Sequence, residues 1–148
     1  VSVSFFDSFY FLNKNKYKIG NTYLFNLAGL AHSFIKRTEN LEFTHDKGPM
    51  KGKNVDSSRM TAYFPSSNYG GEFEFCHPFT SFDGKLEAFK SKLYRYQFYL
   101  LSALANGAAL SFPLFVSEKI LKGYKPELND PITGTGWLQG YLVGTLRG

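Results

Sequence analysis

The sequence predicts an α+β protein: an aromatic-rich N-terminal half containing strands, a long helix over about 82–112, and a Gly-rich helix or loop at the C-terminal end. Three observations support this prediction. Residues 1–27 are rich in the aromatic and β-branched side chains that favour strands. Apolar residues recur at helical spacing over 82–100. Residues 96–116 contain no charged side chain, and a helix of this length would match the thickness of the hydrocarbon core of a bilayer.

The N-terminal half, residues 1–79, is predicted to form a β-rich head. The polar residues 13–16 turn the chain between two strand-forming stretches, and 27–37 has the spacing of a short amphipathic helix. Residues 38–59 are polar and basic and are interpreted as a surface loop. Two short strands are predicted after it, at 60–64 and 72–76. In the second strand the Phe and Glu residues alternate, which is typical of a half-buried strand.

The C-terminal half, residues 80–148, is predicted to be helical. Thr80 and Asp83 resemble a capping box, and a helix over 82–112 would be about 46 Å long. We interpret residues 96–116 as a transmembrane span with tyrosines and phenylalanines near its borders. The alternative is the buried central helix of a soluble domain, which Asn106 and Pro113 favour.

Small residues at a spacing of four predict a surface on which helices pack in lipid, in the manner of a glycine zipper. Asn106 would donate a hydrogen bond across that contact. The residues of this predicted helix-packing site are Ala103, Asn106, Gly107, Ser111, Gly136, Gly140 and Gly144. The glycines of residues 132–148 fit equally well a Gly-rich terminal loop in a soluble protein, and residues 117–131 are interpreted as a short helix or loop.

A formal charge of +5 and a pI near 9.2 fit a protein that contacts an anionic partner. That partner would be anionic lipid, an acidic subunit or, less favoured, nucleic acid. A solvated loop without a partner is the plainer alternative. The predicted contact residues are Lys36, Arg37, Lys47, Lys51, Lys53 and Arg59.

No residue pattern predicts an enzyme or a cofactor. A single cysteine excludes an internal disulfide framework. A metal site would need the loop to bring His45 and Asp46 onto Cys76 and His77, and no metal-ligand spacing supports this. We therefore predict no metal, no cofactor and no catalytic residues.

Together these observations predict a non-catalytic accessory or structural subunit of a multi-subunit membrane complex. Its partners would be other subunits, and its location an organellar inner membrane or a bacterial membrane. The alternative prediction is a soluble α+β domain that binds nucleic acid through the basic loop at 38–59.

Overall fold

The computed structural model describes residues 3–37, 60–65, 70–88, 90–100 and 109–146, together with two isolated strands in the basic region. Within these ranges nearly all of the regular structure is β. The strands are β1 (Phe6–Asp7), β2 (Thr22–Lys36), β3 (Phe43–Thr44), β4 (Asn54–Val55), β5 (Ala62–Pro65), β6 (Glu72–Pro78), β7 (Phe82–Ala88), β8 (Ser91–Leu100), β9 (Leu110–Ser117) and β10 (Pro131–Leu146). The helices are single turns: α1 (Tyr10–Asn13), a 3-10 helix (Lys14–Lys16) and α2 (Glu118–Leu121).

Eight of these strands form one sheet in the order β5-β6-β10-β2-β9-β8-β7, with β1 beside β10. The central pair is β2 and β10, which are antiparallel from the Ile132–Lys36 pair to the Leu146–Thr22 pair. The β2–β9 contact is parallel and is confined to two residue pairs, while β3 and β4 pair only with each other. The two longest strands therefore form the centre of the sheet, and β10 takes its partners from distant parts of the chain.

The sheet bends so that its two ends face each other across an aromatic core. Strands β6 and β9 are three positions apart, a separation of about 14 Å in a flat sheet. Nevertheless, the rings of Phe73 and Phe112 have centroids 5.7 Å apart, and those of Phe75 and Phe98 are 5.9 Å apart. These rings are almost fully buried. The core is thus the concave face of one bent sheet, filled mainly by phenylalanine.

The predicted helix over 82–112 is wrong, and with it the α+β fold class. The segment instead contains β7, β8 and the start of β9. The reason is visible in the burial pattern: Tyr96 and Phe98 on β8 are buried with a spacing of two, as are Phe112 and Leu114 on β9. Side chains two residues apart share one face of a strand, so this spacing fills the core from an extended chain.

No helix in the described ranges is both long enough and apolar enough to span a bilayer. The predictions that depended on such a helix are therefore wrong. These are the transmembrane span at 96–116, the anchored subunit of a membrane complex, and the organellar or bacterial membrane location. The alternative of a nucleic-acid-binding α+β domain is contradicted as well, because the fold is not α+β.

Two further segments are strands rather than helices. Residues 27–37, predicted as a short helix, lie almost entirely in β2, and the Gly-rich segment forms β10. On β10 the glycines make room for rings. A Cβ added to Gly136 would lie 2.8 Å from Cζ of Phe73, and one added to Gly140 would lie 2.7 Å from the ring of Phe5. Gly144 has no such neighbour within 4 Å.

Several local predictions are confirmed. The strands predicted at 60–64 and 72–76 correspond to β5 and β6, with Phe73 and Phe75 buried. Residues 13–16 do turn the chain, as the end of α1 and the 3-10 helix. The stretch before that turn is strand only at β1 and otherwise contributes α1.

Candidate functional site

A one-turn helix, α2, lies between two clefts on the described surface. It starts where β9 ends, because the Ser117 hydroxyl accepts a hydrogen bond from the N–H of Lys119 at 3.2 Å, an N-cap contact. It ends at Lys122, which has the left-handed φ of 50°, followed by Gly123 with φ of 82°. The left-handed residues end the helix after one turn, and Leu121 within that turn is buried in the core.

A cleft of about 360 Å³ lies between α2 and the end of β2. Its walls are mostly apolar, contributed by Phe34 and Ile35 from the strand and by Ile120 and Leu121 from the helix. Small-molecule sites are typically concave, mostly apolar and about 300–1,000 Å³ in volume, with a few polar groups that orient the ligand. The cleft has these properties.

Lysines give the cleft a positive rim. Lys36 at the end of β2 and Lys119 and Lys122 around α2 all line it, and no carboxylate does so among the described lining residues. Two carboxylates lie beside lining residues: Oδ1 of Asp130 is 3.5 Å from Nζ of Lys36, and Oε2 of Glu72 is 3.5 Å from Nε2 of His32. Asp130 partly neutralises Lys36, while the other two lysines are exposed.

Asp130 is held in place by a short hydrogen-bond network behind the cleft. The Tyr124 hydroxyl donates to Oδ2 of Asp130 at 2.6 Å, and the N–H of Glu127 donates to the same oxygen at 3.0 Å. These hydrogen bonds, together with the charge of Lys36, lower the pKa of Asp130 below its ordinary value. Burial and the adjacent carboxylate raise the pKa of Tyr124. Tyr124 is therefore neutral and Asp130 ionised near neutral pH.

A second cleft of about 300 Å³ lies on the other side of α2. Phe82 and Tyr94, whose rings are stacked with centroids 4.9 Å apart, form part of its apolar lining. Leu121 and Tyr124 line both clefts, so these two side chains form the wall between them. Glu118 and Lys125 at the second cleft offset each other in charge.

His77 is the one charged or polar side chain that is buried in the described part of the chain, with 1% of its surface exposed. Its Nδ1 lies 2.5 Å from the Tyr96 hydroxyl and its Nε2 lies 3.2 Å from the carbonyl oxygen of Tyr99. Burial lowers its pKa, although hydrogen bonds to the carbonyls of Pro78 and Tyr99 oppose this. His77 is thus a neutral core residue with a single ring proton, so Nε2–H donates to the carbonyl oxygen of Tyr99 and Nδ1 accepts from the Tyr96 hydroxyl.

The described residues of the predicted helix-packing site lie on strands. Ala103, Asn106 and Gly107 lie outside the described residues. Ser111 is on β9, where its hydroxyl accepts a hydrogen bond from Nε2 of Gln97 at 2.7 Å. Gly136, Gly140 and Gly144 are on β10, so no helix exists there for them to pack.

The predicted anionic-partner site is only partly described. Lys36 lies at the cleft, whereas Arg37 has Nη1 3.9 Å from Sγ of Cys76 on the outer side of the sheet. Lys47, Lys51, Lys53 and Arg59 lie outside the described residues, so their contact with an anion stays a prediction. Sequence reasoning missed Lys119, Lys122 and Tyr124. The available signal was Ser117 before Glu118 and the Lys122-Gly123 exit, which mark the two ends of a helical turn.

Two of the four candidate metal ligands lie within the described residues. Cys76 and His77 are neighbours on β6, so their side chains point to opposite faces, His77 into the core and Cys76 towards Thr133. His45 and Asp46 are outside the described ranges, within which no group of three or more metal-ligating side chains converges.

Comparisons of the chain with protein families, with curated proteins and with solved structures each find no match.

Proposed function

We propose that this chain is a binding protein for a small amphipathic anion, which it holds in the cleft between β2 and α2. The ligand class is an apolar body of medium length with one carboxylate or phosphate head. The observation that carries the proposal is the combination of a mostly apolar cleft of about 360 Å³ with three lysines on its rim.

The apolar walls account for the ligand's body. Ile120 packs against the core, so its position is fixed by the surrounding structure, whereas Phe34 is fully buried and offers a ligand no exposed area of its own. Ile35 is 53% exposed on the strand and contributes apolar area to the open side. A ligand that covers this area gains about 25 cal/mol for each Å² of apolar surface removed from water.

The lysine rim accounts for the ligand's head. Lys119 lies within α2, Lys122 follows its last residue, and Lys36 lines the cleft from β2. A single exposed pair between a lysine and an anion contributes about 0.2–1 kcal/mol. Several such pairs therefore orient the head and select against cations, while the apolar contact provides most of the affinity.

The polar groups in the cleft are suited to binding rather than to catalysis. His32 and Ser33 both line it, but Nε2 of His32 lies 3.5 Å from the carboxylate of Glu72, and the Ser33 hydroxyl lies 3.1 Å from that of Thr135. Each side chain is therefore engaged by a different partner, and the two do not form a nucleophile and base.

Octanoate is a suitable probe, with octanol and octyltrimethylammonium as neutral and cationic counterparts. We expect octanoate to bind most tightly, measured by calorimetry, and to shift backbone NMR signals of residues 32–36 and 119–124. The double variant Lys119→Gln with Lys122→Asn should weaken octanoate binding by about 2- to 30-fold, because it removes two exposed ion pairs. Asparagine is chosen at position 122 because it tolerates the left-handed backbone there.

Lys85→Gln is a control for the loss of a surface lysine elsewhere, since Lys85 is an exposed lysine on β7 outside the cleft. It removes one charge from the chain and should leave octanoate affinity unchanged. Equal affinity for the three probes, or signal shifts confined to other residues, would show that the cleft is not an anion site.

A further inference from the structure

A separate surface at the N-terminal end of the described chain presents large apolar side chains to solvent. We call it the N-terminal apolar surface and define it by the consecutive residues Phe9, Tyr10, Phe11 and Leu12. Phe11 is 86% exposed and Leu12 77%. Clusters of exposed aromatic and aliphatic side chains of this kind commonly mark interaction sites, whereas isolated ones do not.

The segment that carries this surface is held firmly against the sheet. The Tyr17 hydroxyl donates to Oδ2 of Asp7 at 2.5 Å, and the N–H of Ser8 donates to the carbonyl oxygen of Gly140 at 2.9 Å. Further along, the N–H of Lys18 donates to the Tyr23 hydroxyl at 2.6 Å. The exposed side chains therefore belong to an ordered turn, and a partner that binds them has little ordering entropy to overcome.

The charges beside this surface are positive. Lys14, Lys16 and Lys18 are all exposed and follow α1 directly. The acidic residue of this segment, Asp7, is already occupied by the Tyr17 hydroxyl and by the N–H of Phe9. Two copies of the chain meeting through this surface would bring six lysines together, which disfavours self-association.

We propose that the N-terminal apolar surface docks on a partner protein whose own apolar face is bordered by Asp and Glu side chains. Phe11 and Leu12 are the apolar anchors, and the three lysines pair with the partner's carboxylates. This interaction is independent of the cleft at α2, since none of these residues lines that cleft.

The probes are two synthetic amphipathic helical peptides with the same apolar face, bordered by Glu in one and by Lys in the other. We expect the Glu-bordered peptide to bind more tightly and to shift NMR signals of residues 9–19. The variant Phe11→Ser with Leu12→Ser should weaken that binding at least tenfold, because central apolar anchors carry most interface energy. Both positions are highly exposed, so this variant keeps its fold, which its own NMR spectrum checks.

Leu128→Ser is the matched control, since Leu128 is 71% exposed on a different loop. It should bind the Glu-bordered peptide like the parent chain. The charge reversal Lys14→Glu, Lys16→Glu and Lys18→Glu should transfer the preference to the Lys-bordered peptide. Equal affinity for the two peptides would overturn the proposal. So would dimerisation through residues 9–19 in sedimentation, or binding to phosphatidylglycerol vesicles but not to the Glu-bordered peptide.

Discussion

Replacing Gly136 by alanine tests whether β10 lies directly beneath phenylalanine rings. The added Cβ would lie 2.8 Å from Cζ of Phe73 and 3.0 Å from the carbonyl oxygen of Leu30. The first distance is shorter than real Cβ contacts, and Phe73 is only 2% exposed, so its ring has little space into which to move. The Gly136→Ala variant must therefore shift packed groups.

The expected loss of stability follows from two opposing effects. Overpacking a core usually costs about 1–3 kcal/mol, whereas replacing glycine by alanine restricts the unfolded chain and returns about 0.4–1 kcal/mol. We expect Gly136→Ala to lower the free energy of unfolding by about 1–2 kcal/mol. In a chain of this length that corresponds to a fall in Tm of about 2–8 °C.

Gly144→Ala is the matched control on the same strand, because no atom lies within 4 Å of the Cβ that it adds. Urea unfolding followed by circular dichroism should show unchanged or slightly raised stability for this variant. If the Gly-rich segment were instead a helix that packs through its glycines, Gly136 and Gly144 would both have to stay small. Equal losses at Gly136 and Gly144 would refute the placement of β10 beneath the rings.

A double-mutant cycle identifies the group that Gly136 accommodates. If the conflict is with the ring of Phe73, then Phe73→Leu should partly relieve it. The combined variant would be more stable than the sum of the single losses predicts, by about 0.5–2 kcal/mol. Strict additivity would show that the ring is not the obstacle.

Two other predictions concern His77 and Ser117. Because burial lowers the pKa of His77, this side chain binds a proton more readily in the unfolded chain than in the folded one. The free energy of unfolding should therefore be highest above the ordinary histidine pKa of 6.5 and fall as the pH drops below it. Urea unfolding between pH 5 and 8 should show a weaker pH dependence in His77→Gln, and an unchanged one would exclude His77 as the cause. Ser117→Ala removes the cap of α2 and should cost about 1 kcal/mol, measured in the same assay, with the exposed Ser81→Ala as a control.

Local patterns in the sequence identify some strands and fail for others. The Phe–Glu alternation of β6 is unambiguous because polar residues separate the buried ones. Few charged residues separate the buried residues of β8 and β9. Phe98 and Phe112 therefore lie in an apolar run whose pattern is also compatible with a helix. Burial of one face against a bent sheet decides the outcome, and that information is not local.

The glycines of β10 show a specific ambiguity. A spacing of four places residues on one face of a helix, and also on one face of a strand, because four is an even number. Gly136 and Gly140 therefore share a face, but it is the concave face of a sheet and not the face of a helix that the sequence predicts. The pairing of Gly144 with β2 is shifted by an irregularity in the β2–β10 register between Leu142 and Gly144, and no residue pattern predicts this irregularity.

The candidate binding cleft could not be predicted from the sequence, for a related reason. Its walls come from residues 32–36 and 119–124, which the fold brings together from distant parts of the chain. Each half alone looks like an ordinary mixture of apolar and basic residues. Ser117 and Gly123 are residue types that commonly end a helical turn, but the sequence predicts only a short helix or loop over residues 117–131.

The central strand pair has a consequence for biosynthesis. Ser33 on β2 and Thr135 on β10 are 102 residues apart, so a ribosome must add about a hundred residues after β2 before its main partner exists. Sheets that depend on such distant pairings close slowly, and their apolar strands stay uncovered while the nascent chain grows. We therefore expect the newly made polypeptide to depend on chaperones until β10 has emerged.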